Sequence, residues 1–281
     1  MSGTSEVYIK NNIKGDAILS VLITDNALCC SLWSSDENSY ESIFSINFKN
    51  KNNYIEEIKT FFEKENIFYQ QYKKVNIVVA TNKNTIVPTS KFSEDKLENI
   101  FYNVFEYDKN EKVLFSKLPK TNTIIIYSID KQLYDFFLSN FSNIFFNSIS
   151  LPFIEFNFEQ NKHSENKEKI QLYIQIFDNY FEILLLQNNK ISFYNTYKYK
   201  TENDFLYYVI NIFDKLQLSQ EKTRVCISGF VDSNSLTIIM LKKFVRIVYF
   251  AVQNTNLRYN YLFNDLPSHY YHNFLNIIEC E

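Results

Sequence analysis

The sequence predicts an α/β fold built from two similar halves. Three observations carry that expectation. The order strand, strand, strand, helix, strand occurs twice along the chain. The turn dipeptide Asp25-Asn26 returns as Asp178-Asn179, 153 residues later. The short apolar strand at Val75 returns at Val225, an offset of 150. Biased composition can produce one such match, but several in order at nearly constant offset mark an internal repeat.

In the first half, residues 17–24 alternate and are rich in Ile, Leu and Val, the pattern of a strand. Asp25-Asn26 is a turn signal. Residues 27–33 and 40–48 read as the second and third strands. Asn53 then opens a helix, with Glu56 three positions on as in a capping box. Its apolar residues Tyr54, Ile55, Ile58, Phe61 and Phe62 share one face. Residues 75–80 form a short apolar strand of the kind buried on both sheet faces.

The second half repeats this order. Strands are expected at 170–177, 180–186 and 191–199, with turns at Asp178-Asn179 and 187–190. Thr201 and Asp204 form a second capping-box pattern, and Glu202 adds negative charge at the helix N-terminus. The helix would bury Phe205, Leu206, Val209, Phe213 and Leu216, and 224–228 follows as a strand. A helix at 232–243 and a strand at 244–251 complete the half. The first-half counterpart of that last strand is expected at 123–128. An extra segment of about 83–119, with a helix near 94–104, separates it from the fourth strand. The polar stretch 160–169 joins the halves. The expected division is a lobe of residues 1–150 with an insertion subdomain, then a lobe of residues 151–281.

Three antiparallel strands followed by α/β units is the pattern of a ribonuclease H-like sheet, and two in tandem is the pattern of actin-like ATPases. The expected fold is therefore α/β, a duplicated ribonuclease H-like architecture with two lobes of mixed five-stranded sheets. Val87-Pro88, the run Asn195-Thr196-Tyr197 through Asp204-Phe205-Leu206-Tyr207-Tyr208, and Leu266-Pro267-Ser268-His269-Tyr270-Tyr271 carry a resemblance. The chain resembles a bacterial family, found mainly in Bacteroidota, that is a domain of unknown function with an actin-like fold. The place of the insertion, after the fourth strand, also resembles the pilus-assembly and cell-division branch of the actin superfamily. That resemblance implies a cleft between two lobes, with ATP and magnesium bound there by the members that hydrolyse it.

Composition bears on whether such a site survives. The chain has 281 residues but three glycines, Gly3, Gly15 and Gly229. Phosphate-cradling loops need glycine because backbone N–H groups approach the phosphate with φ values that side chains forbid. Actin-like ATPases carry D-x-G at the first hairpin of each half. Aligning the hairpins puts Leu22 and Gln175 at the acid positions, and Thr24 and Phe177 at the glycine positions. Leucine cannot ligate magnesium, and phenylalanine would fill the phosphate volume. Asp25 and Asp178 stand three residues beyond the acid positions, where turn chemistry accounts for them. Ser228-Gly229 resembles the adenosine-side turn, but Phe230 replaces a second glycine, and Gly229 alone reads as a strand-to-helix turn.

Other classes are weakened by what the sequence carries. Hydrophobic residues make up 46% of the chain, enough for a sizeable core. The net charge of −3 gives no bulk attraction to nucleic acid or an anionic membrane. Cys29, Cys30, Cys226 and Cys280 have no C-x-x-C spacing and read as reduced thiols. The N-terminus Met1-Ser2-Gly3-Thr4-Ser5-Glu6 lacks a signal-peptide pattern, and no apolar run is long enough to span a bilayer. A cytoplasmic location is expected. His163, His269 and His272 do not make a metal set, which needs three or four convergent ligands. Residues 193–200 interleave Phe193, Tyr194, Tyr197 and Tyr199 with Lys198 and Lys200, as single-stranded RNA platforms do. The same pattern suits an edge strand guarded by lysines.

The functional expectation is a catalytically silent, non-enzymatic actin-like scaffold with an unknown protein partner and no cofactor. The stretch 266–274, dense in aromatics, is the candidate contact surface. One alternative is a divergent ATP binder with magnesium, using Asp25, Asn26, Asp178, Asn179, Ser228 and Gly229. A further alternative is an RNA-associated accessory protein using residues 193–200.

Overall fold

The computed structural model describes residues 16–50, 53–163 and 170–280. The expected N-terminal features at Met1–Glu6, Gly3 and Gly15, and most of the polar joint, lie outside these residues. The first lobe opens with β1 (Ala17–Ile23), β2 (Ala27–Ser34) and β3 (Ser39–Asn47), paired antiparallel in succession. Helix α1 (Tyr54–Lys64) then crosses to β4 (Lys74–Val79), which lies parallel beside β1. Strand alternation gives this sheet two apolar faces. Leu19, Val21, Ile77 and Val79 pack on Ile58, Phe61 and Phe62 of α1, while Ile18, Leu22 and Val78 belong to a core shared with the second lobe. The expected Asn53–Glu56 box does not form. Glu57 instead accepts the backbone N–H groups of Lys49 and Asn50, both at 2.9 Å.

The insertion follows β4. It comprises β5 (Asn84–Pro88), α2 (Leu97–Tyr102), β6 (Glu111–Leu118) and β7 (Thr123–Asp130). Its sheet is antiparallel, in the order β5-β7-β6. Two expectations are corrected here. The apolar strand near 123–128 is the centre of this small sheet and not part of the lobe sheet. The insertion therefore runs past 119 to Asp130. The physical reason is that β7 is buried on both faces: Ile124 and Ile126 meet Phe101 and Val113, while Tyr127 and Ile129 join the α1 side of the first lobe. An apolar run shows that a strand is buried, but not in which sheet.

Helix α3 (Lys131–Asn140) is capped by Asp130, whose Oδ1 accepts from Gln132 N at 2.8 Å and Leu133 N at 3.1 Å. It leads to β8 (Ile144–Ser148), which pairs parallel with β4 and takes the position expected of 123–128. Helix α4 (Ser150–His163) comes next, and it places Leu151, Phe153, Ile154 and Phe158 in the core between the lobes.

The second lobe contains β9 (Ile170–Ile176), β10 (Tyr180–Gln187), β11 (Lys190–Lys198), α5 (Glu202–Lys215), β12 (Arg224–Gly229), α6 (Leu236–Phe244) and β13 (Ile247–Phe250). Its order β11-β10-β9-β12-β13 matches β3-β2-β1-β4-β8 of the first. The likeness extends to single bonds. Thr24 N donates to Ala27 O and Phe177 N to Tyr180 O, both at 2.9 Å; Ala80 N donates to Ile23 O and Phe230 N to Ile176 O, both at 2.8 Å. The box expected at α5 is present: Thr201 Oγ1 accepts from Asp204 N, and Asp204 Oδ2 accepts from Lys200 N and Thr201 N.

The C-terminal segment departs from the expected division at residue 151. Strand β14 (Arg258–Tyr259) returns to the first lobe and pairs parallel with β3, so that sheet has six strands instead of five. It covers an edge of β3, whereas the matching edge strand β11 is guarded by exposed Lys190 and Lys198. Helix α7 (His272–Leu275) then fills the base of the interlobe space. Phe274, Leu275 and Ile277 are buried there, and the Tyr40 hydroxyl donates to Leu275 O. The candidate contact surface at 266–274 is thus interior in part: His269, His272, Asn273 and Phe274 are buried, Tyr270 and Tyr271 are half-buried, and Pro267 and Ser268 are exposed. Aromatic density marked a core that only the returning tail completes. Phe274→Ala should cost about 3–5 kcal/mol. Urea denaturation would detect this, and an unchanged midpoint would show that the tail is not part of the core.

Candidate functional site

The site that the repeat architecture points to is the seam where the two hairpin turns meet. β1 and β2 present Asp25-Asn26, and β9 and β10 present Asp178-Asn179. Thr24 shapes the first turn, with its Oγ1 accepting from Asn26 N at 3.4 Å and Ala27 N at 3.0 Å. The two turns face one another and exchange side-chain bonds. Asn26 Nδ2 donates to Asp178 Oδ2 at 3.0 Å, and Asn179 Nδ2 donates to Asp25 Oδ2 at 2.8 Å. Four of the six sequence-predicted site residues therefore converge on each other.

Below the turns the seam is mainly apolar. Leu22, Cys29, Val78 and Ala80 of the first sheet share one buried cluster with Tyr173, Phe177, Tyr180, Leu184 and Cys226 of the second. Phe177 stacks on Tyr180, ring centroids 4.5 Å apart, and meets Phe230 at 6.1 Å; Phe230 meets Tyr271 at 5.4 Å. Burial pushes the Cys29 thiol far up and the Cys226 thiol up to about 12, so both are neutral wall groups and not nucleophiles.

Ser228 and Gly229 end β12 beside Gln175 and Ile176 of β9, where the tail crosses. Ser228 Oγ accepts from Asn273 Nδ2 at 2.9 Å, and Gly229 N donates to His269 O at 2.8 Å. Gly229 has φ of +93°, and a Cβ there would lie 2.2 Å from Ile176 O. The glycine is required by the approach of two backbones within the lobe.

Where the resemblance places Mg-ATP, the chain presents the following groups. The acid positions hold Leu22 and Gln175. Asp25 and Asp178 are each bonded to an asparagine amide. Gly229 N and Phe230 N, at the resemblance's adenosine-side turn, are bonded to protein carbonyls. The phenyl ring of Phe177 occupies the glycine position.

Sequence reading missed a second polar group in the seam. Glu182 on β10 is fully buried and accepts from Ser150 Oγ at 2.8 Å and Asn84 Nδ2 at 3.3 Å, groups that come from α4 and β5. Its signal was a lone carboxylate inside the apolar run Tyr180–Gln187. Two of the three histidines, His269 and His272, are held inside the fold, and the His163 side chain lies outside the described residues. His269 Nε2 lies 2.8 Å from Val231 O, and burial pulls the His272 imidazole down to about 4. Among the described residues no group of three or more His, Cys, Asp or Glu side chains is placed to hold a metal. The aromatics of the proposed RNA platform are committed to packing: Tyr197 stacks on Phe181 and Tyr208, Tyr199 packs on Phe205, and the Tyr194 hydroxyl donates to Asn84 Oδ1 at 2.6 Å.

A family model described as a protein of unknown function, DUF3822, matches residues 8–248. The chain belongs to the DUF3822 family. This DUF3822 chain is similar to a solved protein from Bacteroides thetaiotaomicron with an actin-like ATPase fold and unknown function. The two share 22% identity over 95% of this chain and 96% of that one, with a TM-score of 0.82. It is also similar to a chain of the PilM–PilN type IV pilus biogenesis complex, at 11% identity over 94% of this chain and 98% of that one, TM-score 0.58. The fold is the actin-like ATPase fold. No curated protein matches the sequence. Among the described residues no helix is long and apolar enough to cross a membrane.

Gly229→Ala should destabilise this DUF3822 protein by about 1–3 kcal/mol or more, because the new methyl meets backbone that cannot yield. Equilibrium denaturation checks this. A variant as stable as the parent would mean that the backbone approach does not require glycine.

Proposed function

We propose that this DUF3822 protein is a nucleotide-independent, non-enzymatic member of the actin-like fold that acts as a cytoplasmic protein-interaction scaffold. The observation that carries the reading is the pair of reciprocal Asn–Asp bonds above an apolar seam. A nucleotide phosphate would have to break both bonds and displace buried aromatic surface, with no glycine loop to receive it. The reading extends to the two lobes having arisen by duplication, since their strand orders and turn bonds match.

Two features support a scaffold. PilM, a structural neighbour, is found in a complex with another protein, PilN. Large apolar side chains also stand exposed on the outer helices of the second lobe, Tyr207 at 66%, Leu236 at 56% and Phe244 at 46%. Four thiols without disulfides suit a reducing compartment.

The test is thermal unfolding with Mg-ATP. A ligand at 100 times its dissociation constant adds about 2.7 kcal/mol of stability. We expect no shift in melting temperature and no phosphate release at millimolar Mg-ATP. A magnesium-dependent rise would support the ATP-binding alternative through Asp25, Asn26, Asp178, Asn179, Ser228 and Gly229.

A further inference from the structure

Glu182 has no use in the scaffold reading, yet it is fully buried at the meeting of three parts of the molecule. Both bonds to its Oε1 come from outside its own sheet, from Ser150 at the start of α4 and Asn84 at the start of β5. Ser150 is itself held by Ser148 Oγ at 3.0 Å. The other oxygen, Oε2, is buried without a partner, and so is Oε1 of Gln175. These two residues are direct partners in the β10–β9 register, where cross-strand side chains lie close together. An ionised carboxylate would leave two acceptors side by side in a buried seam, a costly arrangement. A proton on Oε2 supplies the missing donor, with the orphaned Gln175 oxygen as its neighbouring acceptor.

We propose that Glu182 is a protonated latch between the lobes, and that its ionisation loosens the seam by drawing water into it. Among the described residues the surroundings hold neutral hydrogen-bond donors, Ser150, Asn84 and Tyr194, but no cation paired with the carboxylate. Tyr180 on the same strand and Tyr194 on β11 are both held neutral by burial. β9 and β12 present Gln175 and Ser228 in the same row, β5 presents Asn84, and β8 and α4 present Ser148 and Ser150. The nearby Asp25 charge adds only repulsion, acting on Tyr180. Among the described residues Glu182 makes no ion pair, and the closest lysine in sequence to Asn84, Lys83, is bound to Glu111 at 2.6 Å.

The direction of the pH effect follows from these surroundings. Burial raises the Glu182 carboxyl to about 8, against the offsetting bonds from Ser150, Asn84 and Tyr194. The stabilisation is complete below the ordinary carboxylate range and is lost as pH rises through about 8. Between these limits the folded chain holds one proton more than the unfolded chain, so this group raises the unfolding constant about tenfold per pH unit.

The test compares the full chain with Glu182→Gln, whose amide carries the same donor and acceptor as the protonated acid at every pH. Urea unfolding from pH 5.5 to 9 should show the unfolding constant of the parent rising about tenfold per unit relative to the variant, then levelling above pH 8. Labelling of the seam thiols Cys29 and Cys226 at pH 9 should be faster in the parent. Equal pH slopes and equal labelling would overturn the proposal, including the case in which a flipped Gln175 amide satisfies an ionised carboxylate. If Glu182→Gln does not fold, Ser150→Ala replaces it. Loss of a bond that favours the charged form should move the levelling point to higher pH, and an unmoved point would also overturn the latch.

Discussion

The buried interlobe core is the constraint from which the other features of the seam follow. Leu22, Val78, Phe177, Leu184 and Phe274 share one buried cluster across both sheets, α4 and the returning tail. Apolar burial of this kind has no direction of its own, so polar groups along the seam set the register. The Asn26–Asp178 and Asn179–Asp25 bonds do this at the exposed rim, while Ser150, Asn84 and Glu182 do it inside. The rim bonds are individually worth little, because solvent competes for each partner. Their exchange symmetry matters more, since one relative placement of the lobes satisfies both at once.

The turns show how the chain manages with three glycines. A loop that wraps phosphate needs residues that tolerate positive φ and carry no side chain. This chain still needs positive φ to turn, and it uses asparagine: Asn38, Asn66, Asn122, Asn143, Asn188 and Asn189 all have φ between 51° and 57°. Asparagine supplies the left-handed conformation but not the open space that a phosphate requires. Glycine stays at position 229, where Ile176 leaves no room for a Cβ. Turn geometry and phosphate geometry are thus separable demands, and only the first is met at these six positions.

Much of this was legible in the sequence. The offset of the two Asp-Asn turns gave the hairpins, and the Thr201–Asp204 spacing gave a cap that forms as expected. The fate of 123–128 was not legible, because an apolar strand does not declare its sheet. Nor was the return of β14, since two residues of strand carry no periodicity. The polar seam was half visible. Sequence marks Asp25, Asn26, Asp178 and Asn179 as turn residues and as ligands in the ATP-binding alternative, but pairing between turns 153 residues apart is a property of the folded lobes. Glu182 was visible as a carboxylate in an apolar strand, while its donors Asn84 and Ser150 come from elements that sequence patterns left unplaced.

Amide hydrogen exchange at the seam, with and without saturating Mg-ATP, tests most directly whether the protein's own groups close it. Gly229 N and Phe230 N are bonded to His269 O and Ile176 O, and Phe177 N to Tyr180 O. All three should exchange slowly, and equally so in the presence of nucleotide, if protein carbonyls remain their partners. Fast exchange in the free protein that becomes slow with Mg-ATP would contradict this expectation, since that would show a seam completed by nucleotide.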